Sequence, residues 1–465
     1  MIELLNSLFS GNPKVLILGY GKEGRSTYSF IKKHFPDLIL GIADSNTEIA
    51  SVTELLNDDK LKIITGSDYL DSLKHFDIII KSPGVNIGND KSDLSGKITS
   101  QTDLFLQCYA NQVIGVTGTK GKSTTASLIK HFLEADNKKV LLLGNIGIPA
   151  FNMIDDIEKD CFIVFELSAH QLEYLHRSPH IAVLLNVFPE HLDYFNNIRD
   201  YQNAKFNICK FQNEDDCLII HESLVGNNNN PDPLKSSSDE LVRVYHGFEN
   251  QKPEISNQDK KTKIIQIDDK NSKFKIKNSP LAGNHNNVNI EAALIAVGEI
   301  GGDIDVAINS LKNFKSLPHR LEYVGEFGGI RFVNDSISTV PESTIAAVKA
   351  LKNVDTLILG GYDRGLDYTK MVEFLETSEI NNFIFLGKAG DRMFEIFAKD
   401  NKQLFKVSSI ESAFDIIVGK TTKGRICLLS PAAASYDQFH NFEHRGETFS
   451  SLAVKLQMRL SDRQY

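Results

Sequence analysis

The segment from Thr117 to Thr124 has the residue types and spacing of a loop that binds phosphate groups. It reads TGTKGKST and lies between an apolar run and a stretch typical of a helix. Glycines allow backbone N–H groups to turn towards phosphate oxygens, and a following helix adds partial positive charge at its N-terminus. In such a loop Lys122 contacts the terminal phosphates of a nucleoside triphosphate, and the hydroxyl of Ser123 binds Mg²⁺.

The spacing of this loop differs from the common form in one respect. The position five residues before Gly121 holds Val116 rather than glycine, so the loop is a shorter GxxGKST. The alternative interpretation is a glycine-rich turn with a solvated lysine. The flanking strand and helix patterns favour the phosphate loop, because they provide the helix N-terminus that binds an anion.

Acidic, imidazole and amino groups follow other predicted strands. Glu166 ends one apolar run, His191 and Asp193 follow the run Ile181–Val187, and Lys205 comes soon after. A carboxylate at the carboxyl end of a strand, close to a phosphate loop, is well placed to hold Mg²⁺. Each of these residues alone is more typical of an ordinary surface or core position. Their common location at strand ends is what favours a site.

A second glycine-rich segment, Gly19–Gly24, reads GYGKEG and follows the apolar run Val15–Leu18. Asp44 lies 20 residues after Gly24. This pattern predicts a nucleotide-binding half-domain of the dinucleotide type. Helix-on-strand packing without any ligand is the alternative interpretation. A nicotinamide dehydrogenase would rest on this segment alone and would leave the GKST loop without a purpose.

Short β-rich runs alternate with helical stretches along the chain, which predicts an α/β fold with parallel sheets. We expect three domains: a Rossmann-like N-terminal domain over 1–108, a central P-loop ATPase-like domain over 109–316 and a Rossmann-like C-terminal domain over 317–465. Residues 226–262 are rich in Asn, Ser, Lys and Pro, which indicates a solvated loop or variable hairpin.

The individual elements are predicted from the same alternation. The predicted strands are 15–18, 38–43, 77–80, 112–116, 139–143, 162–165, 181–187, 217–220, 329–334, 356–359, 382–386, 404–407 and 425–429. The predicted helices after residue 317 are 342–351, 368–377, 390–399, 410–419 and 443–460.

The composition of the chain narrows the classes of protein to which it can belong. The 465 residues carry 51 basic and 60 acidic side chains, a net charge of −9, which gives no reason to expect a nucleic-acid partner. The apolar runs are strand-sized and fall short of the roughly 20 residues of a membrane span, and the N-terminus does not resemble a signal peptide. Five scattered cysteines without a CxxC pair favour neither disulfides nor a zinc site. We therefore expect a reduced, cytoplasmic enzyme.

Several motifs taken together resemble the Mur ligase family, and the resemblance covers nearly the whole chain. The matching segments include GYGKEG, KSPGV, VTGTKGKST, LGNIG, FELSAHQLE, LLNVFPEHLDY, YQNAK, LAGNHNNVN, LPHRLE, NDSIST, LILGGYDRG and LLSPAAASYDQFHNFEHRGETF. The last segment is the most typical of the branch that adds D-glutamate. The resemblance implies an ATP-dependent ligase of peptidoglycan synthesis that joins D-glutamate to UDP-N-acetylmuramoyl-L-alanine through an acyl phosphate. It would act as a cytoplasmic monomer.

The resemblance also implies roles for individual residues. Lys122, His191 and Lys205 would be catalytic, and Lys205 matches a lysine that CO₂ carbamylates. The implied metal ligands, for two Mg²⁺ ions, are Ser123, Glu166, His191 and Lys205. The implied ATP contacts are Gly118, Thr119, Lys120, Gly121, Lys122, Ser123, Thr124, Asn286, Arg320 and Asp335. The implied contacts with the muramyl nucleotide and D-glutamate are Gly21, Asp44, Gly84, Asn145, Thr339, Arg364, Ser435 and Phe442.

Two positions depart from the family pattern. The family often has lysine where Ile337 stands, and commonly has lysine where Arg364 stands. Arg364 keeps the positive charge and gains a planar fork that suits a carboxylate. Ile337 keeps nothing polar, and no role is carried over to it.

Two further classes of function are alternatives. One is another amino-acid ligase of the Mur or folylpolyglutamate type with a different acceptor. The other is a nucleotide-driven switch that binds a partner, for which we would expect a guanine-selecting NKxD segment. The chain contains no such segment.

Overall fold

The computed structural model describes residues 1–88, 94, 96–144, 148–192, 194–225, 262–268, 274, 281, 285–315, 318–397 and 402–461. The predicted loop over 226–262 therefore lies outside the described residues, apart from its last position. Asn145 and Asp193 also lie outside them.

Helices and short strands alternate along the described chain, as the sequence predicts. The helices are α1 Ile2–Leu8, α2 Lys22–His34, α3 Thr53–Leu56, α4 Gln101–Tyr109, α5 Lys122–Ala135, α6 Ala169–Leu172, α7 Ile198–Lys210, α8 His285–Glu299, α9 Ile304–Ser310, α10 Pro341–Ala350, α11 Thr369–Glu376, α12 Gly387–Ile396, α13 Ile410–Lys420 and α14 Phe442–Ser461. The strands are β1 Val15–Leu18, β2 Leu40–Asp44, β3 Leu61–Thr65, β4 Ile78–Lys81, β5 Ile98–Thr99, β6 Val113–Thr117, β7 Val140–Gly144, β8 Phe162–Glu166, β9 Ile181–Leu184, β10 Cys217–His221, β11 Lys263–Ile267, β12 Glu322–Phe327, β13 Ile330–Asn334, β14 Val354–Gly360, β15 Asn382–Leu386, β16 Gln403–Val407 and β17 Ile426–Leu429.

The first sheet is parallel, with the strand order β3-β2-β1-β4-β5. Its central strand β1 is apolar and fully buried, as expected for a strand covered on both faces. Gly19 follows β1 with a φ of +90°, and a side chain on Gly24 would collide with the carbonyl oxygen of Gly19. The two glycines thus permit the first turn of α2 to pack directly against the end of β1.

The second sheet is also parallel, with the order β11-β10-β9-β6-β8-β7. Strand β6 is buried along its whole length. The chain runs from β6 to β7 on one side and then returns to β9 on the other. The direction of strand order therefore changes at β6, and the carboxyl end of β6 is where this class of sheet forms its ligand crevice.

The third sheet has the order β12-β13-β17-β14-β15-β16. Apolar cores cover both of its faces, with Leu357 and Phe383 in one and Ile358 and Ile384 in the other. The edge strand β12 is antiparallel to β13, which the sequence analysis did not predict. The predicted strand 329–334 begins too early, because Gly329 lies in the turn of this hairpin with a φ of +78°.

The predicted α/β fold is confirmed, with two kinds of difference in detail. Several elements were not predicted, among them β3, β5, α4, α7, β11 and β12. The predicted strand 181–187 is too long, since β9 ends at Leu184. Beyond Leu185 the chain bonds to the glycine-rich loop instead of a strand: the carbonyl of Asn186 accepts from the N–H of Thr119 at 2.9 Å.

The chain divides into two compact units. One comprises 1–277 and 287–311, and the other 278–286 and 312–465. In the first unit the two sheets share one apolar core, in which Phe30 meets Phe151 with ring centroids 4.9 Å apart. The predicted domain boundaries after residues 108 and 316 stay predictions. In the described ranges, we find no helix that is long and apolar enough to cross a membrane.

Candidate active site

The glycine-rich loop after β6 has the predicted local geometry. Gly118 and Gly121 adopt φ values of +157° and +88°, and Gly121 caps the N-terminus of α5. A side chain on Gly121 would collide with Oδ1 of Asn289, so the neighbouring α8 also demands glycine there. The loop therefore presents its backbone at a helix N-terminus, which is the arrangement that binds phosphate.

Asn186 fixes the middle of the loop from the exit of β9. Its Oδ1 accepts from the N–H of Lys120 at 2.8 Å, and its Nδ2 donates to the carbonyl of Lys120 at 3.0 Å. The N–H of Thr119 donates to the carbonyl of Asn186 at 2.9 Å. Sequence reasoning missed Asn186, because an asparagine after a strand carries no signal of a partner 66 residues away.

Two lysines meet at the carbonyl oxygen of Gly118. Lys122 Nζ donates to it at 2.9 Å and to the carbonyl of Thr119 at 3.0 Å, while Lys205 Nζ donates to it at 2.8 Å. Lys205 lies on α7 and is almost fully buried, with its ammonium 4.8 Å from the ring centre of Tyr201. Burial, reinforced by the charge of Lys122, holds the pKa of Lys205 well below its usual range.

Glu166 and Ser123 lie at the same end of the second sheet. Glu166 ends β8 in register with Val116 of β6 and is fully buried, and Ser123 lies in the first turn of α5. Glu166 also interacts electrostatically with Lys205. Among the described residues no three Asp, Glu, His or Cys side chains converge as a metal site. The structure thus offers one carboxylate and one hydroxyl beside the loop as oxygen ligands for a cation.

His191 lies on the segment that connects β9 to α7. It adopts a φ of +58°, which is strained for a residue other than glycine, and its side chain is half-exposed. Its ring centre is 4.9 Å from that of His170. Burial and the neighbouring His191 lower the pKa of His170 to about 4. Lys120 pairs with Glu190 at 2.8 Å, which ties this segment to the glycine-rich loop.

Buried polar contacts connect β4 to this segment and α2 to α6, and sequence reasoning missed them. Lys81, at the end of β4, donates to the hydroxyl of Tyr194 at 2.8 Å and lies 3.6 Å from Glu173. Glu23 accepts from Gln171 at 2.6 Å, and burial raises the pKa of this carboxyl to about 7. The KSPGV and GYGKEG segments contain Lys81 and Glu23, but letters alone do not reveal that these charged residues are buried.

The predicted nucleotide contacts of the first sheet lie at its carboxyl edge. Asp44 ends β2, and its Oδ2 accepts from the N–H of Tyr20 at 2.7 Å. Gly21 caps the N-terminus of α2, and Gly84 follows β4. The structure brings these three residues to one edge. The fourth predicted residue, Asn145, lies outside the described residues.

Four predicted residues line one cavity of about 190 Å³ at the carboxyl edge of the third sheet. They are Thr339, Arg364, Ser435 and Phe442, and Ile337, Ala434 and Tyr436 complete the lining. Arg364 Nη2 donates to the carbonyl of Thr339 at 2.7 Å. The cavity thus combines one guanidinium and the hydroxyl-bearing residues Thr339, Ser435 and Tyr436 with apolar walls, a composition that suits a small amino acid with an extra carboxylate.

Asp335 is buried at the end of β13. It accepts from the hydroxyls of Ser338 and Ser430 at 2.6 and 2.8 Å and from the N–H of Leu321 at 3.2 Å. Burial raises its pKa to about 6 despite these hydrogen bonds. Arg320 interacts with it electrostatically. Asn286 is a buried residue in the first turn of α8.

Comparison with known proteins first identifies the class. A model of the Mur ligase middle domain matches residues 116–297. The solved structure of the MurF ligase from Thermotoga maritima in complex with ADP superposes with a TM-score of 0.56 at 17% identity and covers 97% of both chains. The UDP-N-acetylmuramate-alanine ligase MurC of the same organism gives a TM-score of 0.55 at 16% identity over 95% of this chain and 99% of that one. The fold is that of the Mur ligases.

Curated relatives establish the family. A UDP-N-acetylmuramoylalanine--D-glutamate ligase of Clostridium tetani (strain Massachusetts / E88) is 32% identical over 469 residues, covering 96% of this chain and 98% of the relative. One of Clostridium botulinum (strain 657 / Type Ba4) is 30% identical over 462 residues, covering 95% and 97%. The chain belongs to the Mur ligase family, as its motifs predict. It is therefore an ATP-dependent acid–amino-acid ligase of peptidoglycan synthesis.

Proposed function

We propose that this chain joins D-glutamate to UDP-N-acetylmuramoyl-L-alanine, with ATP converted to ADP and phosphate. The observation that carries the proposal is the convergence of Lys122 and Lys205 on the carbonyl of Gly118, at the loop where a triphosphate would bind. The names of the Clostridium relatives support the choice of both carbon substrates.

The reaction needs activation of a carboxylate, which has no good leaving group. Transfer of the γ-phosphoryl group of ATP to a carboxylate oxygen gives ADP and an acyl phosphate. The amine of D-glutamate, after its ammonium form has lost a proton, then attacks the carbonyl carbon and phosphate leaves. In the first step two anions meet, and Lys122 would offset their repulsion and stabilise the charge that develops.

Ser123 and Glu166 fit a role in holding Mg²⁺. Hydroxyl and carboxylate oxygens are ligands that Mg²⁺ accepts, and this ion usually takes its other ligands from water and from substrate phosphates. When bound, Mg²⁺ supplies positive charge that counters the phosphates. Glu166 interacts electrostatically with Lys205. We propose His191 for a second Mg²⁺ on family resemblance.

Lys205 cannot ligate a cation as an ammonium group. Its burial and the nearby charge of Lys122 favour the neutral amine. A neutral amine attacks CO₂, forming an N–C bond and releasing one proton, so that a carbamate replaces the positive charge with a negative one. We propose this modification because it would turn a buried lysine into an oxygen ligand.

The cavity of the third sheet is the proposed site for D-glutamate. The guanidinium of Arg364 would bind the side-chain carboxylate with two hydrogen bonds. Thr339 and Ser435 supply hydroxyls, and Phe442 forms an apolar wall. Ile337 adds no charge here, so Arg364 is the guanidinium on which recognition depends.

The remaining roles follow the family resemblance. We propose that Asp44, Gly21, Gly84 and Asn145 contact the muramyl nucleotide. We propose Asn286, Arg320 and Asp335 as ATP contacts outside the loop, together with Thr119, Lys120 and Thr124 within it. Since ATP and a nucleotide-linked precursor are cytoplasmic metabolites, we propose a cytoplasmic location, and we expect a monomer by analytical ultracentrifugation.

The proposal is tested by phosphate release from purified enzyme with ATP, Mg²⁺ and UDP-N-acetylmuramoyl-L-alanine, with the amino acid varied. We expect turnover with D-glutamate at least about 100-fold above L-glutamate, D-aspartate and L-lysine. L-Lysine lacks the side-chain carboxylate, D-aspartate is one methylene shorter, and L-glutamate presents the same groups with the opposite chirality. The lengthened nucleotide should be identified by mass spectrometry. Turnover with another amino acid and none with D-glutamate would replace the proposed acceptor.

A further inference from the structure

Arg445 is among the largest of the fully buried side chains in the described part of the chain, although it is charged. It lies in the first turn of α14 and contributes nothing to the lining of the proposed D-glutamate cavity. Burial lowers its pKa to about 10, so it remains positively charged at neutral pH. A buried charge is costly unless hydrogen bonds satisfy it, so its contacts require an explanation.

The guanidinium bonds to the exits of three different strands of the third sheet. At the exit of β13, Nε donates to Oγ of Ser336 at 3.0 Å and Nη2 donates to the carbonyl of the same residue at 2.9 Å. At the exit of β17, Nη1 donates to the carbonyls of Ala433 and Ala434 at 3.1 and 3.3 Å. At the end of β14, the carbonyl of Gly360 lies 3.5 Å from Nη1.

Each of these strand exits carries residues of the cavity. Thr339 lies three positions after Ser336, Arg364 lies four after Gly360, and Ser435 directly follows Ala434. Ser336 also donates its hydroxyl to the carbonyl of Phe442 at 2.8 Å, which adds the aromatic wall. All four proposed D-glutamate contacts are therefore connected to one guanidinium through a few backbone bonds.

Glycine at position 361 leaves space for the guanidinium of Arg445. Gly361 follows β14 with a φ of +140°, and a side chain there would lie 3.0 Å from Nη1 and would collide with the carbonyl of Ala434. In these described contacts Arg445 bonds to carbonyls and one hydroxyl rather than to a carboxylate, while Asp437 supplies a nearby negative charge. A guanidinium has five donors in a rigid planar arrangement and can contact acceptors on all three strand exits, whereas an ammonium group has three donors on one atom and would leave some of these acceptors without a partner.

We propose that Arg445 is a positioning residue that sets the distances between the D-glutamate-binding side chains; this inference rests on the proposed function. The proposal predicts that loss of the Arg445 guanidinium displaces Arg364, Thr339 and Ser435 relative to one another. Small displacements of this kind weaken recognition steeply. Binding of the muramyl nucleotide, whose proposed contacts belong to the other unit, would not change.

The test compares R445K with wild-type enzyme in steady-state kinetics, with R331K as the matched control. Arg331 lies in the same sheet and donates to the carbonyl of Gly424, away from the cavity. For R445K we expect the KM for D-glutamate to rise at least about tenfold. The KM for the muramyl nucleotide should stay within about twofold of wild type, and the KM for ATP should change less than that for D-glutamate, because Asp335 precedes Ser336 but does not contact Arg445 in the described structure. R331K should match wild type in all three constants.

A second variant covers the case in which R445K does not fold. S336A removes the hydroxyl that Nε contacts and keeps the backbone carbonyl, so we expect a smaller rise, about threefold, in the KM for D-glutamate and no change in the KM for the muramyl nucleotide. An unchanged KM for D-glutamate in the folded variants, or an equal change in all three KM values, would overturn the inference. Absence of D-glutamate turnover by wild-type enzyme would instead overturn the proposed function.

Discussion

Lys122 and Lys205 share one hydrogen-bond acceptor, the carbonyl oxygen of Gly118, at 2.9 and 2.8 Å. One lysine belongs to the helix after the loop and the other to α7, so the contact joins two elements at a single backbone atom. Two ammonium groups that contact the same oxygen repel each other, and the more deeply buried one, Lys205, gives up its proton more easily. This relationship distinguishes the roles of the two lysines.

Lys122→Ala should reduce kcat for ATP-dependent ligation by at least about 100-fold. The variant lacks the charge that would stabilise the transferring phosphoryl group, and loss of one such donor costs this much in other enzymes. Lys130→Ala is the matched control, since Lys130 lies on the same helix and pairs with Glu134 on the surface. Near-normal turnover of Lys122→Ala would refute the assignment of the loop.

Lys205→Ala should be inactive and partly recovered by added acetate or propionate. A short carboxylate can enter the space vacated by the side chain and supply the oxygen ligands of the proposed carbamate. The experiment measures phosphate release against carboxylate concentration, with Lys210→Ala, an exposed position on the same helix, as the control. Lack of any recovery in a folded variant would weigh against the carbamate and leave the ligase activity intact as a proposal.

Asp335→Asn should change the pH dependence of stability in a defined direction. The native pKa of about 6 lies above the usual value of 3.8, so the native state binds this proton more tightly than the unfolded state. The contribution of Asp335 to stability is therefore present at low pH and is lost as the pH rises through 6. Urea unfolding should show that the variant gains about 1.4 kcal/mol relative to wild type between pH 5 and pH 7.5.

The hydroxyls of Ser338 and Ser430 can rotate to accept from the amide that replaces the Asp335 carboxyl in this variant, so the hydrogen bonds need not be lost. A difference between variant and wild type that is constant across this pH range would show that Asp335 titrates normally. ATP affinity, measured in parallel, reports separately on its proposed ligand role.

Gly446→Ala should lower the free energy of unfolding by about 1–3 kcal/mol, the usual cost of overpacking a filled core. A side chain at this position of α14 would collide with Nδ1 of His319, which accepts from Nδ2 of Asn334 at 2.9 Å. Gly419→Ala is the control, because a side chain there meets no atom within 4 Å. We expect no loss of stability for the control, and equal losses in the two variants would contradict the collision.

The sequence predicted the loop and the strands that carry it more reliably than the contacts that hold it. Val113–Thr117 is a β-rich run followed by glycines and a helical pattern, and local preferences suffice to place β6 and α5. Asn186, Lys81 and Arg445 were not predicted, because their roles depend on partners distant in sequence. The antiparallel strand β12 was missed because its burial pattern is irregular and only pairing with β13 defines it.

The two hydrogen bonds between the side chain of Asn186 and the backbone of Lys120 hold the glycine-rich loop in one conformation before a nucleotide binds. Because Asn186 lies at the exit of β9, the second sheet determines the conformation of the loop. A triphosphate therefore binds to a preformed site. Little conformational entropy is then lost on binding, and more of the contact energy remains as affinity.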